Sequence, residues 1–227
     1  MMENESYSVF SAADYEAGIR QTYPFFDEFH RQILETVRVH YTEPVSWLDL
    51  GSGTGTLAAR AFRTLPVRCM YCCEPSAELL ETARKRLNAE QTVFLNQDFA
   101  ELQLSERFDI ITAVQVFHFL KPEEKVRAIR RCRDLLTANG MFFTFENIAK
   151  NSQEGEAVAM QLWREYQKRM GKTDDMLTRH LARYRSSCYP MTIQEHLTML
   201  QRCGFEQPEV LWVSGQQAGF YGIRRGK

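Results

Sequence analysis

Apolar and polar positions change rhythm several times along this chain, and the changes mark its elements. Phe26, Phe29, Ile33 and Val37 recur at the spacing of one helix face. This predicts an amphipathic helix over Pro24–His40, preceded by a short extra helix in the more polar stretch Tyr15–Thr22. Val45–Leu50 reads as a short apolar strand that runs into Gly51-Ser52-Gly53-Thr54-Gly55. A helix follows, with Leu57, Ala58, Ala61, Phe62 and Leu65 on its inner face. Val67–Cys73 is strand-like, and Ser76 is placed to cap a helix carrying Leu79, Leu80, Ala83 and Leu87. Thr92–Leu95 is a third strand. Phe108–Val114 is a fourth, apolar enough to be buried on both faces. Val126, Ile129 and Leu136 predict a helix that stops at Asn139-Gly140, with Met141–Ile148 as the fifth strand.

Strands alternating with helices imply right-handed crossovers and a parallel sheet. The stretch Ser152–Ser187 departs from this rhythm. It is polar and helical, with Trp163, Tyr166 and Met170 on one stripe and Leu177, Leu181 and Tyr184 on another, and it is longer than an ordinary connection in such a fold. Thr192 then caps a helix ending at Cys203-Gly204. Val210–Val213 and Gly219–Ile223 form two final strands. The expected fold is α/β and doubly wound: a mostly parallel seven-stranded sheet with helices on both faces, an N-terminal helical segment, and a helical insertion after strand five as lid.

Composition narrows the function. With 227 residues, 44% of them hydrophobic, the chain fits one elaborated domain with a real core. A net charge of −1 supplies no global field to gather polyanions, which argues against direct nucleic-acid binding. No apolar run is long enough for a membrane helix, and the acidic start Met1-Met2-Glu3-Asn4-Glu5 does not read as a signal peptide. Six cysteines are too few for a disulfide scaffold and suit a reducing compartment, so the expected location is cytoplasmic. Cys69, Cys72 and Cys73 invite a metal reading, but they lie in a short apolar run with no second Cys/His pair at a zinc-finger distance. Packing within a strand is the expectation, and no metal site is assigned.

In an open parallel sheet, ligands bind beyond the carboxyl ends of the strands. The glycine cluster stands there. Its spacing, G-x-G-x-G, is not the G-x-G-x-x-G of a dinucleotide loop, and no phosphate-binding lysine follows it. Glu74, at the end of the second strand, is where a carboxylate would take both ribose hydroxyls of an adenosine. Asp98, between Gln97 and Phe99 after the third strand, could accept from an adenine amino group while Phe99 packs beside the ring. Gln115-Val116-Phe117-His118 leaves the fourth strand on the side from which a reacting group would approach.

The string Leu48-Asp49-Leu50-Gly51-Ser52-Gly53-Thr54-Gly55, followed by Glu74, Asp98 and the Phe108-Asp109-Ile110-Ile111 strand, resembles the class I S-adenosylmethionine-dependent methyltransferases from about Val45 to Ile148. The resemblance implies that the glycine loop holds the methionine part of the cofactor, Glu74 the ribose, and Asp98 with Phe99 the adenine. The implied cofactor-binding set is Phe26, Asp49, Gly51, Ser52, Gly53, Glu74, Pro75, Gln97, Asp98, Phe99, Gln115 and Val116. The cofactor would be S-adenosylmethionine, released as S-adenosylhomocysteine. Residues 1–42 would form a helical cap, 43–150 the cofactor-binding core, 151–188 the lid, and 189–227 the last helix and strands of the same domain.

Ile19-Arg20-Gln21-Thr22-Tyr23-Pro24, the Thr192–Phe205 helix and Ala218–Ile223 extend a looser similarity to the carboxy-S-adenosylmethionine synthase-like branch. In that branch an N-terminal aromatic residue covers the cofactor, a part that would fall to Phe26. An arginine reads the added carboxylate there; Arg179, Arg183 and Arg185 stand as alternatives for it and for gripping an anionic acceptor, or as a solvated helix face.

A sulfonium is already a good leaving group. Transfer can therefore rest on alignment in a dry pocket, and a base matters only if the acceptor must lose a proton. His118 is the candidate base, weighed against simple packing between Phe117 and Phe119. The expected acceptor is a small molecule enclosed beneath the Tyr15–His40 and Ser152–Ser187 segments, and a homodimer is left open. The competing readings are a carboxy-S-adenosylmethionine synthase-like enzyme and a non-catalytic cofactor-binding module.

Overall fold

Six consecutive residues, Val45–Leu50, form β1, and all six are buried. A strand hidden on both faces belongs in the middle of a sheet. In this computed structural model, which describes residues 14–226 without the side chains of Arg183 and Arg185, β1 is indeed interior. Its neighbours are β2 (Val67–Cys73) and β4 (Phe108–Val114), both parallel to it. β3 (Thr92–Leu95) and β5 (Leu136–Asn147) extend the parallel sheet, and β7 (Gln217–Ile223) and β6 (Glu209–Ser214) add an antiparallel hairpin at one edge. The order is β3-β2-β1-β4-β5-β7-β6, so strand order reverses between β1 and β4.

Side chains alternate across this sheet. Trp47, Cys72 and Phe143 face the layer of α2 (Phe26–His40), α3 (Thr56–Thr64) and α4 (Ala77–Arg86). Leu48, Cys73 and Phe142 face α5 (Pro122–Leu135) and α8 (Ile193–Arg202). Cys72 and Cys73 thus point to opposite sides, and the cysteine cluster serves packing in both layers. Ser76 caps α4 through Leu79 N–H, and Thr192 with Glu195 forms a capping box on α8, as their positions predict.

Three expectations need correction. The helix after β4 ends at Leu135, not at Asn139-Gly140. Leu136 already pairs with Phe108 in the sheet, Asn139 N–H donates to Arg224 O, and Arg224 N–H donates to Gly140 O. The left-handed Asn139 therefore bends a strand that has a partner on each side, where the same dipeptide without such partners stops a helix. The second helix begins at Phe26, because Phe25 sits in the left-handed region at φ 63°. In α6 (Gln153–Arg169) the buried face is Ala159, Trp163 and Gln167, and Met170 is exposed.

α6 and the turn that joins it to α7 (Asp174–Ser187) lie against α1 (Tyr15–Thr22). Trp163 Nε1 donates to Thr22 O at 2.6 Å, Tyr166 Oη to Arg20 O at 2.6 Å, and Lys172 Nζ to Thr22 Oγ1 at 2.5 Å. α1 is therefore tied to the insertion, whereas α2 packs through Phe29 on Phe145 and Trp212 in the core.

Candidate functional site

The loop after β1 is laid over the end of β2: Gly51 and Ser52 N–H both donate to Cys73 O, at 2.8 and 3.1 Å. Gly51 and Gly53 have φ of 64° and 55°, a region where side chains are strained. Space matters as well. A Cβ on Gly51 would stand 2.5 Å from Val116 Cγ2, and one on Gly53 would stand 3.1 Å from the Tyr15 hydroxyl. The missing side chains leave a backbone cradle between the loop after β4 and α1.

Two carboxylates lie beside the cradle. Glu74 is buried at the end of β2, and its oxygens accept from Gly53 N–H and Ser76 N–H, each at 3.0 Å. Burial pushes its carboxyl up, and those two hydrogen bonds pull it part of the way back. Asp49 accepts from Thr112 Oγ1 at 2.6 Å, which in turn accepts from Trp47 Nε1 at 2.9 Å. Burial pushes Asp49 up to about 7; the Thr112 hydrogen bond opposes this and the charge of Glu74 adds to it.

A cavity of about 260 Å³ opens at the carboxyl ends of the strands. Gly51, Glu74, Pro75, Asp98, Phe99, Gln115 and Val116 line its sheet side. A smaller adjoining cleft of about 40 Å³ is lined by Phe26, Asp49 and Ser52, and shares Gly51 and Gln115 with the first. Gln115 is a non-glycine residue at φ 59°, held by its N–H to Phe145 O at 2.7 Å, and its Oε1 is buried without a partner among the described residues. Backbone strain of this kind persists where surrounding contacts enforce it.

Other sequence candidates fall elsewhere. Gln97 does not line the cavity; its carbonyl accepts from Cys73 Sγ. His118 is fully buried behind the wall, with Nδ1 3.0 Å from Glu146 Oε2. It is not among the lining residues. Arg179 is exposed and pairs with Asp175 at 2.8 Å, while the side chains of Arg183 and Arg185 lie outside the described residues.

The roof of the cavity is where sequence reasoning fell short. Tyr15, Ile19, Thr22 and Tyr23 come from α1 and its end, and His180 and Tyr184 come from α7. Tyr15 and Tyr23 are the N-terminal aromatics that line this cavity, while Phe26 lines only the adjoining cleft. Burial first, then the charge of Glu74, raises the Tyr15 phenol. The readable signal was the recurrence of Tyr15, Ile19 and Tyr23 on one helix face. Glu16 pins α1 to the glycine loop, accepting from Thr56 Oγ1 at 3.0 Å and pairing with Arg86 at 2.5 Å.

Residues present fit an adenosyl amino acid. The cradle admits a ligand backbone against Gly51, and Glu74 offers an acceptor that is already partly desolvated. Among the described residues no helix is long and apolar enough to cross a membrane, and no cluster of His, Cys, Asp and Glu could hold a metal ion.

Comparison with known proteins agrees. Residues 48–142 match the methyltransferase domain family. A carboxy-S-adenosyl-L-methionine synthase of Nautilia profundicola is 22% identical over 203 residues, which cover 88% of this chain and 86% of that protein. An uncharacterised methyltransferase of Bacillus cytotoxicus is 34% identical over 93 residues, 41% of this chain and 42% of that one. Among solved structures, the plantazolicin methyltransferase BpumL superposes with a TM-score of 0.69 at 14% identity, over 95% of this chain and 89% of that one, a likeness of fold. Residues 48–142 thus match a methyltransferase domain, and the sheet order, with its antiparallel hairpin at one edge, is that of the Rossmann-like methyltransferase fold.

Proposed function

We propose that this protein binds S-adenosylmethionine in the cavity under α1 and α7 and methylates a small-molecule acceptor enclosed there. The observation that carries the reading is one cavity with Gly51 and Glu74 on its floor and residues of α1 and α7 as its roof. Gly51, Ser52, Gly53 and Asp49 would hold the methionine part, Asp49 facing its ammonium. Glu74 would accept from the ribose hydroxyls, with Pro75 beside them. Asp98 and Phe99 would take the adenine, with Gln97 shaping the turn, and Val116 and Gln115 would close the opposite side.

When bound, the cofactor supplies a methyl group on a sulfonium. The protein's own part is to align, enclose and exclude water. Aromatic Tyr15, Tyr23 and Tyr184 dry the acceptor side, and such enclosure can supply most of the acceleration for an in-line displacement. Gln115 Oε1 stands ready to accept an N–H or O–H from the acceptor. His118, behind the wall, would act on the loop shape and not on the acceptor directly.

The test is release of S-adenosylhomocysteine by the full chain over a panel of small O-, N- and S-nucleophiles, together with calorimetry of cofactor binding. Turnover with one acceptor is expected, and absence of heat with both cofactor and product overturns the reading. A second reading, a carboxy-S-adenosylmethionine synthase-like enzyme, draws support from the Nautilia relative's coverage of both chains. Native mass spectrometry separates the two: that reading requires a co-purifying cofactor heavier by a carboxylate, and the first does not. A binding module without turnover is the remaining outcome.

A further inference from the structure

Glu146, at the end of β5, is fully buried, and each of its oxygens has two donors. Oε1 accepts from Phe117 N–H at 3.2 Å and from Thr144 Oγ1 at 2.5 Å. Oε2 accepts from His118 N–H at 2.6 Å and from His118 Nδ1 at 3.0 Å. Because a carboxylate only accepts, Nδ1 must carry the proton, which fixes the ring's orientation. One carboxylate thus gathers the start of the short 3-10 turn Phe117–Phe119 and the imidazole beneath it. Val116, Phe119 and Leu120, on and around this turn, line the cavity.

The same turn reaches the lid. His118 O accepts from Tyr189 N–H at 2.7 Å, two residues past the end of α7. The carbonyl of Tyr189 accepts from Nζ of Lys125, a fully buried lysine on α5. Cys188, the neighbour of Tyr189, lines the cavity as well. A single residue just past α7, Tyr189, is therefore held at both of its backbone polar groups, its N–H by the cavity turn and its carbonyl by α5.

We infer that Glu146 is a positioning residue: through His118 it shapes the cavity turn and, with Lys125, latches the end of α7 to it, so that cofactor binding and lid closure are coupled. This rests on the cofactor reading above. Glu146→Gln would put an amide N–H against donors and release the turn. Lys125→Met would free only the lid end.

The experiment is hydrogen exchange of the full chain with and without S-adenosylhomocysteine, with affinities by calorimetry. In the natural protein the ligand should slow exchange at residues 115–120 and 180–190 together. Glu146→Gln should bind it roughly tenfold more weakly. Lys125→Met should bind within about threefold, keep protection of the turn and lose it at 180–190. A purely structural role predicts lower thermal stability with unchanged affinity and unchanged joint protection; that result overturns the inference. If Glu146→Gln does not fold, Lys125→Met decides alone. If the natural protein binds no S-adenosylhomocysteine, the cofactor reading fails separately. The latch is then judged in the free proteins, where Lys125→Met must raise exchange at 186–190 and leave 115–120 as it was, and unchanged exchange at 186–190 refutes it.

Discussion

Glu74 and Glu146 are both buried glutamates at carboxyl ends of strands in the same sheet, yet they are put to opposite uses. Glu74 meets two backbone N–H groups and borders the cavity, and burial leaves its carboxyl above the ordinary range. For Glu146 burial pushes the same way, but the His118 hydrogen bond and charge, with the Thr144 hydroxyl, outweigh it and hold the carboxyl below that range. The lesson concerns spare capacity. A carboxylate with its acceptor sites filled by the protein builds a wall; one left under-satisfied beside a cavity is available to a ligand.

The sharpest break in this comparison is stability. Glu146→Gln should cost about 3 kcal/mol, since it leaves buried donors without their charged partner. Glu74→Gln should cost well under half of that, and equal losses in denaturant titrations would erase the distinction. Ligand affinity should rank the other way. Glu74→Ala is expected to weaken S-adenosylhomocysteine binding by about 1.5–3 kcal/mol, roughly ten- to hundredfold, measured by calorimetry. Unchanged affinity would take Glu74 out of the site.

Gly51→Ala should follow in size. The left-handed backbone and the 2.5 Å approach to Val116 together predict about 1–2 kcal/mol of lost stability and a matching loss of affinity. Val116→Ala added to it should recover part of both; no recovery would mean that backbone strain alone is responsible.

Asp49 makes a pH test. Its carboxyl is raised from 3.8 to about 7 in the folded protein. The folded state thus holds a proton that the unfolded chain releases at lower pH. The contribution of Asp49 to stability is therefore full below about pH 4 and is lost as pH rises through about 7. A ligand ammonium beside Asp49 favours its ionised form, so affinity should climb with pH up to about 7, by at most about tenfold per unit. Asp49→Asn should flatten that slope; a slope that persists would move the titration to another group. The smallest effect is expected at Glu16, half-exposed on α1: Glu16→Gln should shift stability by under about 1 kcal/mol while speeding ligand release in stopped-flow traces.

Much of the core was legible in the residues. Val45–Leu50 and Phe108–Val114 are mostly apolar because both faces are covered, and Ser76 and Thr192 announce helix starts through their own side chains. Gly51, Glu74 and Asp98 were readable because a loop at a strand's end has few neighbours that could redirect it. Other features resisted. Asn139-Gly140 carries a helix-stop signature, but its hydrogen bonds go to Arg224, far along the chain. His118 reads as a candidate base by type and position, and only its burial against Glu146 takes it from the cavity wall. Tyr15 and Tyr184 meet at one cavity from opposite ends of the sequence, with no local pattern to pair them.

The sequence by itself determined the α/β rhythm, the cradle at the first loop and the carboxylate one strand over, since each depends on interactions within a few residues or on strand periodicity. Tertiary structure alone decided which aromatics roof the cavity, which glutamate borders it and which histidine is buried behind its wall. Those outcomes depend on burial and on partners distant in the chain. Desolvation and hydrogen-bond satisfaction have no magnitude until the surrounding elements have packed.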